Sequence, residues 1–151
     1  MIEALHLPKA NLRLKRKNDE VFVWCIIRKK ELLCTPEEWV RQHIIHDLVD
    51  NKKIPIGLIA SEFALNYNGR SKRADIVIFD RNNKPMMIIE CKATNIAITE
   101  ETLFQIAQYN FELQVPYLMM SNGLNHVYGQ LNSEKEGIKY LEHFPQLDLN
   151  N

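Results

Sequence analysis

Two apolar segments separated by four polar residues constrain the fold of this chain more than any other feature. The segments RADIVIFD (73–80) and PMMIIECKA (85–93) flank RNNK (81–84). Apolar runs rich in β-branched residues and bounded by turn residues are typical of buried strands joined as a hairpin. Both faces of the two strands are apolar, so we expect the hydrophobic core to lie here, with Val77 and Ile88 buried.

The centre of the turn determines which residues of this hairpin are opposed. Asn82 and Asn83 tolerate the left-handed conformation that a tight turn requires. If the turn is centred between them, the numbers of opposed residues sum to 165. The predicted pairs are Phe79 with Met86, Val77 with Ile88, and Asp75 with Glu90.

The last of these pairs brings two carboxylates together. Directly opposed residues have Cβ atoms roughly 4.5–5.5 Å apart, so Asp75 and Glu90 would repel each other unless a cation lay between them. Lys92, on the same face as Glu90, is one candidate cation and a divalent metal ion is the other. Taken singly, a Glu-x-Lys is usually a solvated ion pair, but the combination on a buried hairpin favours a functional site. A register slip of one residue would turn Asp75 to the other face.

A helix is predicted before the hairpin. The segment TPEE supplies Thr35 as N-cap, Pro36 as the first helical residue and Glu38 at the third position, a capping box. The helix is expected to run to about Asn51. Two interpretations of Glu38 remain open, since capping fully explains it and an indirect role in a metal site is the alternative.

The sides of this helix are predicted to differ. His43 and His46 lack a carboxylate pattern for zinc and are expected at ordinary surface or boundary positions. Trp24 and Trp39 are expected in the core or at an interface. One apolar stripe comprises Val40, Ile44 and Leu48.

A second amphipathic helix is predicted to begin at residue 99 or 100. Gln105 and Tyr109 are four residues apart and share a face beside its apolar arc. Exposure on the surface is one interpretation of this pair. The apolar arc comprises Leu103, Phe104, Ala107 and Phe111.

The remaining segments complete an α/β domain around a mixed sheet, expected to cover 1–151 with its core at about 20–131. The tail, with Gly137 and Pro145, is expected to form a short helix and an extended end. The other strand patterns cover 21–28, its short partner 31–34, and 61–68, 115–120 and 125–131.

Charge is unevenly distributed although the net charge is zero. Residues 1–30 contain eight Lys/Arg against three Asp/Glu, and residues 93–151 contain two against seven. A basic cluster of Arg70, Lys72 and Arg73 precedes one strand, and another precedes the first strand. One interpretation is that these clusters neutralise the phosphates of a bound partner. The alternative is that they are solvated loops that keep the protein soluble. The N-terminal cluster comprises Lys9, Arg13, Lys15, Arg16 and Lys17.

Composition and cysteine usage predict a cytoplasmic protein. A composition of 46% apolar and 25% charged residues is typical of a globular chain. No apolar run approaches the ~20 residues of a membrane helix, and the N-terminus lacks a signal-peptide pattern. Three cysteines without metal-ligand spacing favour a reducing compartment.

Several of these residues together resemble a known signature. RAD (73–75), followed by ECK (90–92) after an apolar strand, resembles the bipartite PD-(D/E)xK signature of restriction-endonuclease-like nucleases. Glu38 lies in the preceding helix, where that superfamily often carries an acid. Gln105 and Tyr109 are similar to the Q-x-x-x-Y of the following helix in the recombination-exonuclease branch.

The resemblance covers about residues 20–131. The segment from TPEEWVRQ (35–42) to SNG (121–123) is similar to the N-terminal nuclease domain of the type I restriction enzyme R subunit. The proline of the signature is absent before Asp75. The chain also has no GK dipeptide and hence no P-loop, which excludes ATP-driven translocation by this chain.

The resemblance implies a restriction-endonuclease-like three-layer core and a metal-dependent endonuclease acting on DNA. Asp75 and Glu90 would hold one or two Mg²⁺ ions, for which Mn²⁺ can substitute, with the Cys91 carbonyl as a further ligand. Lys92 would orient or deprotonate the attacking water, or neutralise developing charge. The Q-x-x-x-Y pair would border the active site and touch the substrate backbone.

The resemblance leaves two functions open. The leading one is Mg²⁺-dependent endonuclease, with DNA, a second copy of the chain and other restriction-system subunits as expected partners. The alternative is a non-catalytic nucleic-acid-binding or assembly module that retains the nuclease fold, because a fold does not fix a function.

Overall fold

The hairpin lies inside a six-stranded mixed sheet with the strand order β4-β5-β6-β7-β8-β9. The computed structural model describes residues 3–132 and 137–150. β6 and β7 are parallel, while the other neighbours in this sheet are antiparallel. Its strands are β4 (Ile59–Tyr67), β5 (Arg70–Phe79), β6 (Pro85–Cys91), β7 (Tyr117–Ser121), β8 (His126–Asn132) and β9 (Gly137–Leu141).

A second sheet of three antiparallel strands forms the N-terminal extension. The predicted pairing of the strand at 21–28 with its short partner at 31–34 is confirmed as β2 and β3. The basic run before them forms an additional, exposed edge strand. The strands are β1 (Leu14–Lys17), β2 (Glu20–Cys25) and β3 (Lys30–Leu33).

The predicted register of the β5–β6 hairpin is confirmed over its buried part. Val77 is opposite Ile88, and both are buried. The predicted pairing of Phe79 with Met86 is wrong, because a bulge between Ile78 and Phe79 places Phe79 opposite Pro85. A bulge places two residues of one strand opposite a single residue of its partner. The prediction assumed instead that the numbers of opposed residues add up to the same value along the whole hairpin.

The turn of this hairpin is held by Asp80. Its Oδ1 accepts hydrogen bonds from the backbone N–H groups of Asn82 and Lys84, each at 2.9 Å. Asn83 has a left-handed backbone with φ 64°, as expected of asparagine in a tight turn.

The core lies on both faces of the sheet. Ile76 and Ile89 pack with α1 (Pro36–Asp50), whereas Val77 and Ile88 pack with α2 (Glu100–Leu113). Alternate residues of a strand point to opposite faces, so the two helices cover opposite faces of the sheet.

α1 begins and ends close to the predicted positions. Thr35 is its N-cap and accepts a hydrogen bond from the Glu38 N–H at 3.1 Å, and Pro36 follows directly. The full capping box is wrong, because the Glu38 carboxylate bonds side chains of its own helix. Asn51 is the C-cap.

The apolar stripe of α1 is confirmed, as is the buried position of Trp39. His43 and His46, which were expected at surface or boundary positions, are both buried, at 9% exposed. His43 packs edge-on against the Trp39 ring, and its Nδ1 is 2.8 Å from the Trp39 carbonyl oxygen. The stripe residues Val40, Ile44 and Leu48 are at most 2% exposed.

α2 begins after a capping box of Thr99 and Thr102. Leu103 and Ala107 are buried as predicted. Phe104 is 57% exposed, so its predicted place on the buried arc is wrong. The helix sits against β7 and β8, and its buried stripe is narrower than the predicted arc.

The C-terminal segment differs from the prediction. Residues 137–141 form β9 rather than a short helix, and Pro145 lies in a segment without regular secondary structure. Within residues 3–132 and 137–150, no helix combines the length and apolar character needed to cross a membrane. The three cysteines are buried free thiols.

Candidate active site

The two acids of the hairpin lie where the β5–β6 pairing ends. Ile76 opposite Ile89 is the final pair, one residue before Asp75 and Glu90. Asp75 turns toward the neighbouring strand, where its Oδ2 accepts a hydrogen bond from the Cys91 N–H at 2.7 Å. The end of the ladder thus frees a backbone N–H that fixes the Asp75 carboxylate.

A buried arginine of α1 holds the other oxygen of Asp75. Arg41 Nη2 lies 2.9 Å from Asp75 Oδ1 and 3.0 Å from Glu62 Oε1. Its Nη1 lies 2.5 Å from Glu38 Oε1. Burial lowers the pKa of Arg41, but the carboxylates of Glu38 and Asp75 outweigh it and raise the pKa above its ordinary range. Arg41 is therefore a permanent cation in the site.

Glu38 is part of this cluster. It is 7% exposed, and its second oxygen accepts a hydrogen bond from Gln42 Nε2 at 2.9 Å. Both of its oxygens therefore bond side chains within α1, and Arg41 links it to Asp75. This contact favours an indirect role for Glu38 in the site over capping.

Glu90 has a different environment. Lys72 Nζ is 3.4 Å from Glu90 Oε1, without hydrogen-bond geometry, so this buried oxygen has no hydrogen-bond partner within the described chain. Burial, followed by the charge of Asp75, raises the pKa of Glu90 to about 7, although Lys72 opposes the shift. A metal cation that reached Oε1 would offset both the burial of the Glu90 charge and its repulsion by Asp75.

The Q-x-x-x-Y helix reaches the site through Lys72. The Lys72 ammonium lies 4.6 Å from the centre of the Tyr109 ring, a cation–π contact. Tyr109 is 40% exposed, and Gln105 is exposed one turn earlier on α2. The structure thus brings Tyr109 near Glu90 and leaves Gln105 on the adjacent surface.

Lys92 follows β6 directly and is half-buried. Its backbone N–H donates to the Ser121 carbonyl at 2.8 Å, which fixes the chain at this point. Its ammonium forms no ion pair with any carboxylate that the structure describes. The cations that contact Asp75 and Glu90 are Arg41 and Lys72, and Lys92, one of the two candidates for this place, pairs with neither acid within the described residues.

The basic cluster lies inside β5 rather than before it. Arg70 and Arg73 are exposed and Lys72 is half-buried. Arg73 Nη1 is 3.6 Å from Glu62 Oε2, so this exposed cation also touches the acidic cluster. The cluster thus presents two exposed arginines on β5, one of which pairs with an acid of the site.

Sequence reasoning missed Glu62 and Arg41. Glu62 lies in β4 between residues that pair with Ala74 and Ile76, which places it beside Asp75. Its φ of 54° is left-handed, a strained backbone for glutamate of the kind that clusters at functional sites. Arg41 was detectable, because it lies three residues after Glu38, at the spacing of an ion pair along a helix.

The donor set fits a hydrated divalent cation. No group of three His, Cys, Asp or Glu side chains poised for a metal exists within residues 3–132 and 137–150. Two carboxylates suffice for Mg²⁺, which keeps several waters, and the buried Oε1 of Glu90 accepts no hydrogen bond within the described chain. Asp75 would have to bind the metal with oxygens that also accept from Arg41 and from the Cys91 N–H. The role of the Cys91 carbonyl as a metal ligand stays a prediction.

A groove of about 720 Å³ lies elsewhere, between the C-terminal segment and the end of α1. Its lining includes Lys52, Tyr128 and Phe144 and none of the residues above. Cleft volume therefore does not mark the carboxylate site, which is shallow and defined by charge.

Comparison with known proteins gives one family. Residues 36–145 match the family model described as type I restriction enzyme R protein N terminus. A fragment structure described as an HsdR subunit of a type I restriction enzyme from Vibrio vulnificus YJ016 is 20% identical, with a TM-score of 0.41. The alignment covers 58% of this chain and 18% of that chain, and a likeness at this level carries no argument. No curated protein matches the chain.

Proposed function

The chain belongs to the family of type I restriction enzyme R protein N termini, and from this premise we propose that it is a Mg²⁺-dependent endonuclease domain acting on DNA. The observation that carries the proposal is the pair Asp75 and Glu90 just beyond the last paired residues of β5 and β6, with a buried Glu90 oxygen that accepts no hydrogen bond within the described chain and has the Lys72 ammonium 3.4 Å away. The family match and the order of the signature residues support a restriction-endonuclease-like arrangement of the layers.

Asp75 and Glu90 would hold the metal. When bound, a divalent ion lowers the pKa of water and stabilises charge on a phosphoryl group. Glu90, with a pKa raised to about 7, would be ionised by the approaching cation. The Cys91 N–H keeps the Asp75 carboxylate in one orientation, so little reorganisation is needed.

Lys92 would act on the substrate phosphate. Lys92 is half-buried and forms no ion pair within the described residues, although its charge opposes the raised pKa of Glu37, so its three donors hold no carboxylate at ion-pair distance there. It would donate to a non-bridging phosphate oxygen and neutralise the charge that develops during hydrolysis. Lys72, already paired with Glu90 and Tyr109, is less free to do so.

The substrate backbone would lie along the exposed side of β5. Arg70 and Arg73 provide phosphate contacts, and Gln105 and Tyr109 border the same side from α2. The partners that this family membership supports are DNA and other subunits of a restriction system. A second copy of the chain and a cytoplasmic location remain predictions.

The test is calorimetric titration of Mn²⁺ into the wild type and the Asp75→Asn, Glu90→Gln double variant. We expect saturable binding that the double variant loses. A matched control, Glu100→Gln with Glu101→Gln, removes two exposed carboxylates from the first turn of α2 and should leave binding intact. Binding of equal strength in all three proteins would refute the proposed metal site.

The second candidate is a non-catalytic nucleic-acid-binding or assembly module. It is favoured by Asp75, because both of its oxygens already accept hydrogen bonds from the protein. Absence of Mn²⁺ binding in a folded wild type, together with DNA binding that Arg70→Gln weakens, would support this module instead.

A further inference from the structure

We propose that Arg41 is the internal counter-ion of the carboxylate site and competes with the metal ion for Asp75. Arg41 is then a positioning residue: it balances the acids before a metal arrives and withdraws from Asp75 when one binds. This inference rests on the proposed function, because it assumes that Asp75 is a metal ligand.

The charge balance of the metal-free cluster supports this role. Arg41 is 5% exposed and contacts Glu38, Glu62 and Asp75 within 3.0 Å. Like charges packed this closely away from water are strongly unfavourable unless a cation lies among them. Among the described residues Arg73 forms an ion pair with Glu62 and is 66% exposed at its side chain, so Arg41 is the buried cation that reaches Asp75.

The contacts of Asp75 explain why the metal and Arg41 would compete. Arg41 Nη2 occupies Oδ1 at 2.9 Å, and the Cys91 N–H occupies Oδ2 at 2.7 Å. A divalent ion that bound Oδ1 would lie within a few ångströms of the guanidinium, and the two cations would repel each other. The N–H of Cys91 carries no net charge, so the guanidinium is the group that yields.

Arg41 has other acceptors to which it can withdraw. Nη1 remains on Glu38, and Nη2 already contacts Glu62 at 3.0 Å, so leaving Asp75 needs only a small shift. Arg41 Nε is buried without a hydrogen-bond partner in the described chain, which shows that the present arrangement leaves one donor unused. The strained backbone of Glu62 is thereby explained, because it presents a carboxylate to Arg41 beside Asp75.

The direct test compares Mn²⁺ affinity in Arg41→Gln and Arg73→Gln. Both variants remove one positive charge from the acidic cluster, but only the first removes the contact with Asp75. We expect the Kd for Mn²⁺ to fall about tenfold in Arg41→Gln and to change much less in Arg73→Gln. An equal fall in both would show a general field effect, and weaker binding in Arg41→Gln would show that Arg41 assists the metal. Either result overturns competition.

A second measurement covers the case in which Arg41→Gln folds poorly. In EDTA, adding Asp75→Asn to Arg41→Gln should recover part of the lost Tm, because it removes a buried carboxylate that has lost its counter-ion. In the milder Arg41→Lys variant, Mn²⁺ should raise Tm more than in the wild type. Additive losses of Tm, or an equal rise with Mn²⁺, would contradict the proposal.

These experiments separate the two proposals. If the folded wild type takes up no Mn²⁺, the metal-dependent function fails and competition fails with it. If the wild type binds Mn²⁺ and the two arginine variants shift its affinity equally, the metal site stands and only the role of Arg41 is refuted.

Discussion

The two helices cover opposite faces of one sheet, yet they are buried to very different extents. In α1 every residue from Glu38 to Leu48 is buried, including charged and polar side chains. In α2 only Leu103, Ala107 and Asn110 are buried. Both helices bury an apolar stripe, but α1 also buries polar side chains, among which Arg41 pairs with Glu38 and with the sheet.

The two acids of the candidate site also differ in their surroundings, because one is contacted from α1 and the other lies toward α2. Asp75 is held from the α1 side by Arg41, with both carboxylate oxygens bonded. Glu90 is approached by Lys72, which lies under Tyr109 of α2, at 3.4 Å from an oxygen that accepts no hydrogen bond within the described chain. Asp75 accepts two hydrogen bonds, whereas Glu90 is held only by this longer ion pair, an asymmetry that suits a site completed by a ligand.

Lys92 tests whether chemistry depends on a half-buried cation that forms no ion pair within the described residues. Lys92→Ala is expected to lower the rate of DNA cleavage about a thousandfold, since it removes the free cation expected at the scissile phosphate. Circular dichroism and DNA binding should be almost unchanged. Cleavage at the wild-type rate would show that Arg41 or Lys72 neutralises the phosphate instead.

Truncation of one apolar side chain in each helix tests the difference in burial. Ile45→Ala in α1 should lower the free energy of unfolding by about 2–5 kcal/mol, because Ile45 is fully buried. Phe104→Ala in α2 should change it by about 0.5 kcal/mol or less, as Phe104 is largely exposed. Urea denaturation measures both, and a large loss in Phe104→Ala would mean that a further surface covers α2.

Glu38→Gln tests whether the polar contacts of α1 stabilise it. The variant keeps the shape of the side chain but removes the charge that pairs with Arg41, and should cost about 1–3 kcal/mol. Glu37→Gln is the matched control, because Glu37 is more exposed and lies 3.6 Å from Arg41. An equal loss of unfolding free energy in the two variants would show that the burial of Glu38 does not strengthen its ion pair with Arg41.

The pH dependence of stability tests the environment of Glu90. The pKa of Glu90 rises from 4.5 to about 7 on folding, so the folded protein binds this proton more tightly than the unfolded chain. The contribution of Glu90 is therefore fully present below pH 4.5 and is lost as pH rises through 7. In EDTA, the wild type should lose more stability than Glu90→Gln between these values. Parallel pH curves would contradict this environment for Glu90.

The smallest expected effect concerns the exposed cations of β5. Replacing Arg70 and Arg73 with glutamine should reduce the slope of log K against log salt for DNA binding by about 2. Arg81→Gln with Lys84→Gln, at the turn of the hairpin, is the control and should leave the slope unchanged. Equal slopes in all proteins would mean that the β5 arginines are only solvated.

Local patterns predicted much of this fold. The two apolar segments and the turn residues between them predicted the register around Val77 and Ile88. The N-cap Thr35 predicted the start of α1. The bulge beside Phe79 was not predictable, because nothing in a two-strand pattern specifies an extra residue. The exposure of Phe104 likewise depends on which neighbours the helix meets.

The site was predictable only in part for a similar reason. Asp75 and Glu90 lie on one hairpin, so local reasoning brought their strands together. Arg41 and Glu62 reach the site across long stretches of chain, and a polar residue in a helix gives no sign that it is buried. Hydrophobic periodicity assigns polar positions to solvent, which is why the burial of His43 and His46 was not predicted either.

The parallel pairing of β6 with β7 has a consequence for the order of folding. Parallel strands need a long crossover, here the segment that carries α2, and such non-local pairings form slowly. The antiparallel meander of β4, β5 and β6 is local and can gather Glu62, Asp75 and Glu90 early. The three acids therefore come together through short-range pairings, whereas the contact of Tyr109 with Lys72 depends on the longer crossover.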